Sequence, residues 1–354
     1  MKVIHIVHSL HNYSGASYQA RNLFNELKRK NVTKQAYLNI NSRSSFDSKN
    51  IKKSTTFEAN RSVFSRVFAF LTMFFKFRPT IAHFHGVDFL LLLLCKMFGI
   101  KIYLKSTLFG SDDFESFKSS RLGFVKIKLL GLIDVNNSLT LQMKAINSKY
   151  LGSEKIVTIP NGVELSHEVT SKQKIVVIVG AVIPRKNVYE AILYFKENLQ
   201  PHGYSLKIIG PYENISSESD KEYANKCLRY KENNWIDFLG LIDQNKVRSI
   251  LEKATYLIHF SENEGMPNVV LEALASGVYP IVKPMNGLAK EIIVNGVTGY
   301  ILYEDNFKFK VLPTPEFNVL GKNICEEKYS FDLVSELTLN VYKNLVRGAS
   351  DNIN

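Results

Sequence analysis

Short, largely apolar runs alternate with segments of helical length along most of the 354-residue sequence. A strand that is apolar at nearly every position is buried on both faces, as in a parallel sheet covered by helices. In the first half the runs are Val3 to Val7, Gln35 to Ile40, Ile81 to Phe84, Ile102 to Leu104, Gly131 to Val135 and Ile156 to Ile159. The helical segments are Tyr18 to Lys30, Ser62 to Phe77, Phe89 to Phe98 and Leu139 to Leu151. The pattern predicts an α/β domain with a doubly wound parallel sheet.

A second α/β series follows the polar stretch Ser166 to Lys174, which we interpret as a linker. Its predicted strands are Ile175 to Gly180, Ser205 to Gly210, Ile236 to Leu239, Tyr256 to Phe260 and Val278 to Val282. Its predicted helices are Tyr189 to Gln200, Ser219 to Glu232, Lys246 to Lys253 and Asn268 to Ser276. We expect two Rossmann-like domains, 1–165 and 166–330, facing each other across a cleft. A final helix, Phe331 to Arg347 within 331–354, is expected to pack across the domains.

Positive charge is concentrated in the first half of the chain. Residues 1–165 hold 24 Lys and Arg against 10 Asp and Glu, a net charge of +14, whereas residues 166–354 hold 21 against 23, a net charge of −2. This asymmetry predicts a negatively charged partner for the first half, either nucleic acid or an anionic lipid surface. That half shows no helix-turn-helix, zinc or RNA-recognition signature, so we do not expect nucleic-acid binding.

Cysteine usage and apolar run lengths narrow the class of protein further. Cys95, Cys227 and Cys325 are widely spaced and lack histidines at zinc-ligand spacing, which favours neither a disulfide scaffold nor a structural metal site and fits a reducing cytoplasm. The apolar run at the amino terminus is short and interrupted by histidines, unlike a signal peptide. The run Val87 to Cys95 is far shorter than the ~20 residues that cross a bilayer. We therefore expect neither a targeting nor a membrane-spanning segment.

The most informative stretch of the sequence is Ser261 to Gly277, SENEGMPNVVLEALASG. It follows a predicted strand and opens a helix, with Asn268 as the expected N-cap and Gly277 as the expected stop. Backbone N–H groups at a helix start bind anions, and the carboxylates of Glu264 and Glu272 accept hydrogen bonds from hydroxyl groups. The arrangement suits a nucleotide sugar. Two glutamates at this spacing are, however, also typical of an ordinary solvated helix start.

The context of this stretch resembles a known family. Together with Val278 to Val282 and the segment GLAKEIIVNGVTGY at 287–300, it is similar to the donor-binding half of family 4 retaining glycosyltransferases, which have the two-domain GT-B fold. The segments Pro160 to Glu164 and Phe238 to Gly240 also resemble that family. The matches occur in the expected order over nearly the whole chain and point to the bacterial surface-polysaccharide type.

The resemblance implies roles for residues around the helix start. By similarity, Glu264 contacts hydroxyls of the donor sugar and Glu272 contacts the ribose of the nucleotide. The residues that would line the sugar and the diphosphate are Gly265, Met266, Pro267, Asn268 and Val269.

The segment Gly180 to Asn187 resembles the glycine, arginine and lysine phosphate loop of the family, with Lys186 at the lysine position. Ala181 stands where an arginine is usual, and Asn187 replaces a usual glycine. Cations aimed at the departing diphosphate lower the barrier to transfer, and losing one preorganised group costs ~10²–10³ in rate. Arg185 is the candidate replacement, because arginine offers phosphate a bidentate fork. The alternative for Arg185 is a solvated loop charge.

The first half contributes further candidate residues at predicted strand ends. Gly15 lies in the loop Asn12 to Ser17 after the first strand, where a small residue lets backbone approach a phosphate or an acceptor. His85 ends another strand near the expected cleft, and by similarity it touches the donor sugar. For its neighbour His83 we favour the role of a satisfied core histidine. Weaker candidates are His5, His8, Lys105, Ser106 and Thr107.

Neither a metal nor a cofactor is expected. No Asp-x-Asp pair occupies a plausible cleft position, since Asp112 and Asp113 are adjacent and lie in a loop. The resemblance also implies a metal-independent reaction in which the acceptor hydroxyl attacks from the side of the leaving group. The departing phosphate then takes the proton, and the anomeric configuration is retained.

Two basic segments of the first half are rich in apolar side chains, Arg61 to Arg78 and Arg121 to Lys128. Helices of this composition lie in bilayer interfaces with their cations on anionic headgroups. For the first segment, a core helix with cations at its ends fits equally well. The net charge of the first half favours the interfacial interpretation.

These observations predict a cytoplasmic glycosyltransferase, peripheral at the inner face of the cell membrane. It would move sugar from a nucleoside diphosphate sugar, with UDP-sugars favoured, to a lipid-linked saccharide of a surface polysaccharide. The alternative is a non-catalytic relative that binds nucleotide or a partner, which the loss of arginine at Ala181 motivates.

Overall fold

The computed structural model describes residues 1–10, 14–41, 56–166, 171–212, 220–303, 311–312 and 314–350, with side chains to Arg347. The chain divides into two compact units, residues 1–162 together with the C-terminal segment from Phe331, and residues 163–330. Several positions named above lie outside the described residues: Asn12, Tyr13, linker residues 167–170, Ser219 and the tail 351–354.

The first unit is built on a parallel sheet of seven strands. These are β1 (Lys2–Val7), β2 (Lys34–Asn39), β3 (Thr56–Glu58), β4 (Ile81–His85), β5 (Lys101–Ser106), β6 (Val135–Ser138) and β7 (Ile156–Val157). The helices of residues 1–162 are α1 (Gly15–Arg29), α2 (Val63–Phe77), α3 (Phe89–Met97), α4 (Phe114–Lys118), α5 (Gly123–Leu130) and α6 (Leu141–Asn147). The strand order is β3-β2-β1-β4-β5-β6-β7, so the direction of winding reverses between β1 and β4.

Local sequence explains where the first helices begin. Ser14, Ser62 and Asp88 precede α1, α2 and α3, and each side chain accepts a hydrogen bond from the amide three positions on. Such caps satisfy N–H groups that have no partner inside the helix. The helices that they start cover a sheet whose central strand β4 is buried at every position.

Strand β6 corrects the predicted strand Gly131 to Val135, because pairing begins at Val135 and runs through three polar residues. Their side chains are buried but mutually satisfied. Asn136 donates to Ser106 Oγ over 3.0 Å, and Asn147 donates to Asn136 Oδ1 over 3.1 Å and to Ser138 Oγ over 3.0 Å. A hydrophobicity criterion misses a strand whose buried groups are paired with one another.

The second unit has a six-stranded parallel sheet of order β10-β9-β8-β11-β12-β13. Its strands are β8 (Gln173–Val179), β9 (Ser205–Ile209), β10 (Ile236–Gly240), β11 (Ala254–His259), β12 (Tyr279–Val282) and β13 (Tyr300–Ile301). Its helices are α7 (Val188–Asn198), α8 (Lys221–Leu228), α9 (Gln244–Lys253), α10 (Asn268–Ala275), α11 (Ala289–Ile292) and α12 (Val319–Tyr329). The winding reverses here between β8 and β11. Both sheets therefore show the doubly wound arrangement that the sequence predicts.

Helix α10 ends as predicted and begins one residue away from the prediction. Gly277 has φ +70°, its N–H bonds Leu274 O over 2.9 Å, and the N–H of Val278 bonds Ala273 O over 2.9 Å. These two bonds are those of a Schellman motif with glycine in the left-handed region. At the other end the N-cap is Pro267, so Asn268 is the first helical residue and not the cap.

The C-terminal helix α13 (Phe331–Ser350) is part of the first unit, where it packs on α1. Lys30 and Asp332 form an ion pair of 2.8 Å. Tyr342 is fully buried, its hydroxyl is hydrogen-bonded to His83 Nδ1, and its ring lies edge-on to that of Tyr103 at 5.6 Å. Among the described residues, no helix combines the length and apolar character needed to cross a bilayer.

We predict that Tyr342 anchors α13 on the first unit. Tyr342→Ala should lower the free energy of unfolding by about 3–5 kcal/mol through lost burial. Tyr342→Phe should cost about 1–3 kcal/mol, because it leaves His83 Nδ1 buried without a partner. Urea-dependent hydrogen exchange at the β4 amides measures both. Lys343→Ala, at an exposed position of the same helix, is the control with an expected change within about 0.5 kcal/mol. Equal effects of Tyr342→Ala and the control would contradict the anchoring role.

Candidate functional site

Two loops meet at the carboxyl edge of the second sheet, where its winding reverses. One runs from Gly180 to Asn187 after β8, and the other from Phe260 to Pro267 after β11. The Glu262 amide donates to the Arg185 carbonyl over 3.2 Å, which joins the two loops. Crossovers that leave neighbouring strands toward opposite faces open a crevice at this point, and ligands of open α/β sheets bind there.

The centre of this site is an ion pair between Lys186 and Glu264. The side chains are 20% and 11% exposed, and His259 Nε2 lies 3.3 Å from the same carboxylate oxygen of Glu264. Burial is the largest single influence and would raise the pKa of the Glu264 carboxyl, but Lys186 and His259 together outweigh it and hold that pKa well below its usual range. Burial lowers the pKa of His259, although Glu264 opposes this. The site therefore presents an ionised carboxylate beside an ammonium group.

Asn187 shows how a non-glycine residue replaces the usual glycine of this loop. Its backbone is left-handed, with φ 49° and ψ 41°, a conformation that asparagine tolerates better than most residues. Its side chain donates to the Phe260 carbonyl over 3.2 Å and to Glu262 Oε1 over 3.1 Å. The substitution thus keeps the loop conformation and adds bonds to the neighbouring loop.

Arg185 also reaches the second loop, because its Nη1 donates to the Asn263 carbonyl over 3.1 Å. Its positive charge is one of the influences that lower the pKa of His259, after burial. Arg185 therefore lies close to the Lys186–Glu264 pair. Ala181, at the position where an arginine is usual, is half-buried and carries no charge.

Gly210, the residue after β9, permits close packing at the end of β8, because a Cβ atom on it would lie 2.0 Å from the Gly180 carbonyl oxygen. Gly180 is required for a different reason, its backbone φ of +148°, since a Cβ atom there would meet only the Lys186 side chain at 3.8 Å. The backbone of the predicted phosphate loop starts from the contact between Gly180 and Gly210.

The amino end of α10 faces the same edge. Gly265, Met266 and Pro267 are buried, while Asn268 and Val269 are half-buried. No acidic residue occupies the first turn, so the positive end of the helix dipole is not neutralised there. One turn further, burial raises the pKa of Glu272 to about 7 against the opposing influence of Gln244 and Arg248.

The first unit has its own cavity, of about 550 Å³, at the β1–β4 reversal. The polar side chains that line it include Ser9, Ser14, Ser17, Arg61, Arg66 and Thr107. His85 lines it as well, whereas Gly15 lies in the chain between the lining residues Ser14 and Ala16. His83 points elsewhere, to Tyr342, in agreement with the core role favoured for it.

Three buried imidazoles, of His5, His83 and His85, come closest to a metal site among the described residues, with ligand atoms within 4.8 Å of one another. The His83 and His85 rings are, however, stacked at 4.0 Å with an interplanar angle of 10°. Lone pairs of imidazole nitrogens lie in the ring planes, so two parallel rings do not direct them at a common ion. His5 Nδ1 instead lies at hydrogen-bond distance, 3.1 Å, from His85 Nε2.

The predicted residues thus fall into two groups. Lys186, Arg185 and Glu264 meet in the second unit, near the start of α10, and His85 and Gly15 lie in the first unit at its cavity. Sequence reasoning missed His259 and the side chain of Asn187. A histidine at the end of a buried strand, two residues before the motif, was the available signal for the former. The asparagine was noted as a departure, without its bonding role.

We predict that Lys186 compensates the buried charge of Glu264. Lys186→Met should destabilise the second unit by up to about 3–5 kcal/mol, the cost of breaking a buried pair, and Lys186→Met with Glu264→Gln should recover most of it. In the wild type this contribution is present above the usual pKa of 4.5 and disappears as the pH falls through the lower folded-state value. Fluorescence of Trp235, the single tryptophan, reports unfolding of this unit. No recovery in the double variant would refute the prediction.

Residues 165–308 match the family model described as Glycosyl transferases group 1. An uncharacterized glycosyltransferase, MJ1607, of Methanocaldococcus jannaschii is 27% identical over 185 residues, which are 49% of this chain and 46% of that protein. The chain thus spans about half the length of this curated relative.

Two solved structures are similar over almost the whole chain. Anabaena Alr3699/HepE, in complex with UDP and glucose, gives a TM-score of 0.75 at 13% identity and covers 97% of this chain and 100% of that one. The lipopolysaccharide outer core galactosyltransferase WaaB, in its apo form, gives 0.63 at 15% identity and covers 99% and 100%. Residues 165–308 are therefore similar to the glycosyl transferases group 1 family, and the two parallel-sheet units have the fold of GT-B glycosyltransferases.

Proposed function

We propose that this protein is a glycosyltransferase that moves a sugar from a nucleoside diphosphate sugar to a lipid-linked saccharide during synthesis of a surface polysaccharide. The observation that carries the proposal is the Lys186–Glu264 pair at the β8–β11 reversal, inside the segment that matches the family. The UDP and glucose bound to Alr3699/HepE favour a UDP-sugar as the donor. The name of WaaB supports a surface saccharide as the product.

The proposed roles follow the charges of the site. Lys186 and Arg185 stabilise the negative charge that develops on the departing diphosphate, together with the amino end of α10. Glu264, kept ionised by Lys186, accepts hydrogen bonds from hydroxyls of the donor sugar. Glu272 accepts from the ribose of the nucleotide, a role that requires its carboxylate form.

The reaction proceeds with retention and without a metal ion in this proposal. The acceptor hydroxyl attacks the anomeric carbon from the side on which the diphosphate leaves. The leaving phosphate oxygen takes the proton as the sugar–phosphate bond breaks and the new glycosidic bond forms. Fixed cations replace the metal that would otherwise neutralise the diphosphate.

A second candidate function is a non-catalytic subunit that binds nucleotide or a partner. Ala181 favours it, because one of the two cations usual in the phosphate loop is absent from its position. Arg185 favours the catalytic function, because its hydrogen bond to the Asn263 carbonyl holds this second cation beside the loop that carries Glu264.

Donor turnover distinguishes the two. With detergent-dispersed lipid-linked acceptor extract, one member of a panel of UDP-, GDP- and ADP-sugars should release its nucleoside diphosphate. Glu272→Ala should lower kcat/KM for that donor about 10–100-fold through lost charged hydrogen bonds, while Glu197→Ala, on the exposed face of α7, should leave it unchanged. Binding of a donor without release from any of them would favour the non-catalytic subunit.

We further propose that the first unit lies on an anionic membrane surface through α2. This helix buries Ala69, Phe70 and Met73 on one side. Phe64, Phe68 and Phe75 are 89%, 74% and 65% exposed and share the opposite face at helical spacing. The interpretation as a core helix therefore applies to one face of α2, and the interpretation as an interfacial helix applies to the opposite face.

The neighbouring helices continue this surface. Helix α3 contacts both α2 and α5, and Met97, Leu122 and Phe124 are each about 70% exposed on or next to them. Exposed cations accompany the apolar side chains: Lys76, Arg78, Arg121 and Lys128. Aromatic side chains flanked by cations are the composition of helices that bind anionic bilayer interfaces.

We expect Phe64→Ser and Phe68→Ser each to weaken binding to phosphatidylglycerol-rich vesicles about tenfold, since each removes a side chain that enters the interface. Vesicle flotation measures the bound fraction. Val319→Ser and Leu320→Ser, which change exposed apolar residues of the second unit, are the matched controls. Equal binding of wild type to neutral phosphatidylcholine vesicles, or unchanged binding of the Phe variants, would contradict the proposal.

A further inference from the structure

The cavity of the first unit is lined by cationic and hydroxyl groups to which the proposed donor binding assigns no role. It lies at the carboxyl edge of the first sheet and has a volume of about 550 Å³, within the range of small-molecule sites. Ser9, Ser14, Ser17 and Thr107 supply hydroxyls, and Arg61 and Arg66 supply positive charge. A mixture of hydroxyls and guanidinium groups suits a saccharide that carries an anionic group.

The two arginines differ in how they are held. Arg66 Nη1 bonds Asp88 Oδ2 over 2.5 Å, and Asp88 also accepts from the Leu91 amide over 3.0 Å. This fixes the Arg66 guanidinium at the cavity wall, where its Nε is buried without a partner among the described residues. Arg61 is exposed and forms no ion pair within the described part of the chain. One guanidinium is thus preorganised, and the other is available for a ligand.

A buried group inside the cavity also lacks a partner. His85 is 3% exposed and lines the cavity, its Nε2 lies 3.1 Å from His5 Nδ1, and its Nδ1 has no hydrogen-bond partner among the described residues. An unsatisfied buried nitrogen is costly, so His85 has hydrogen-bonding capacity that the described residues do not use. The carboxyl group of Asp112, which also lines the cavity, accepts a hydrogen bond from the Thr107 hydroxyl, and burial raises its pKa.

We propose that this cavity binds the acceptor through a phosphate group, with Arg61 and Arg66 as its cationic partners. Arginine is the side chain best suited to phosphate, because its fork donates two parallel hydrogen bonds. The proposal rests on the proposed function, which requires an acceptor site in addition to the donor site of the second unit. The phosphate belongs either to the acceptor sugar or to its lipid anchor. Phe64 lies three residues after Arg61, on the aromatic face of α2, so a lipid phosphate at Arg61 would keep its chain beside the proposed membrane surface.

Binding of small phosphate probes tests this without turnover. With UDP present at saturation to occupy the donor site, glucose 6-phosphate represents a sugar-borne phosphate and octyl phosphate a lipid-borne one. Glucose and octanol are their neutral counterparts. Calorimetric titration should show that at least one phosphate probe binds more tightly than its neutral counterpart. The probe that does so identifies the source of the phosphate.

Arg61→Gln should weaken binding of that probe about 10–100-fold, the range for a charged hydrogen bond, and leave the neutral probe unchanged. Arg66→Lys keeps the pairing with Asp88 but loses the fork, and should weaken the same probe less. Arg29→Gln, at the exposed end of α1 and outside both the cavity and the proposed membrane surface, is the matched control. The proposal is overturned if no phosphate probe binds more tightly than its neutral counterpart, or if Arg61→Gln and Arg29→Gln have equal effects. Absence of UDP-sugar turnover in the wild type, with intact probe binding, would refute the proposed function instead.

Discussion

Parallel strand pairing determines where the two candidate sites of this protein lie. Every strand pair in both sheets is parallel, so all carboxyl ends of a sheet lie at one edge, and each connection returns across a face. The winding reverses once in each sheet, at β1–β4 and at β8–β11. Polar residues that would be costly inside the sheets collect at these two points, as the cavity around His85 and the Lys186–Glu264 pair illustrate. The rest of each unit is scaffold for its reversal.

Much of this was predictable from the sequence, because buried parallel strands are apolar runs and their helices have caps. Several elements were not predicted or were predicted with wrong bounds, and the following show why. Strand β3 and helix α11 are three and four residues long, too short for periodicity to appear, while α12 presents Gly321, Cys325 and Tyr329 as its buried face, which is not a typical apolar stripe. Strand β6 is polar and relies on the distant Asn147 for its partners. Tertiary contacts of this kind, like the 3.3 Å approach of His259 Nε2 to the Glu264 carboxylate, are not encoded in local spacing.

The predicted phosphate loop illustrates how a motif tolerates substitution. Asn187 has the left-handed backbone that a glycine adopts easily, and its side chain joins the loop to Phe260 and Glu262. Ala181 is different, since no neighbouring backbone feature restores a missing charge. Any compensation must come from another cation, and Arg185 is held in the right neighbourhood. Conformational requirements can be met by several residue types, whereas an electrostatic requirement is met by charge.

The return of α13 to the first unit has a consequence for how the chain is made. Residues 163–330 form a compact unit that is inserted in the sequence between β7 and α13. Tyr342 of α13 contacts His83 and Tyr103 of the first unit. The second unit emerges from the ribosome before α13 does, so part of the apolar surface of the first unit stays uncovered while the second unit emerges. Synthesis rate and chaperone access during that interval therefore bear on the yield of the first unit more than on that of the second.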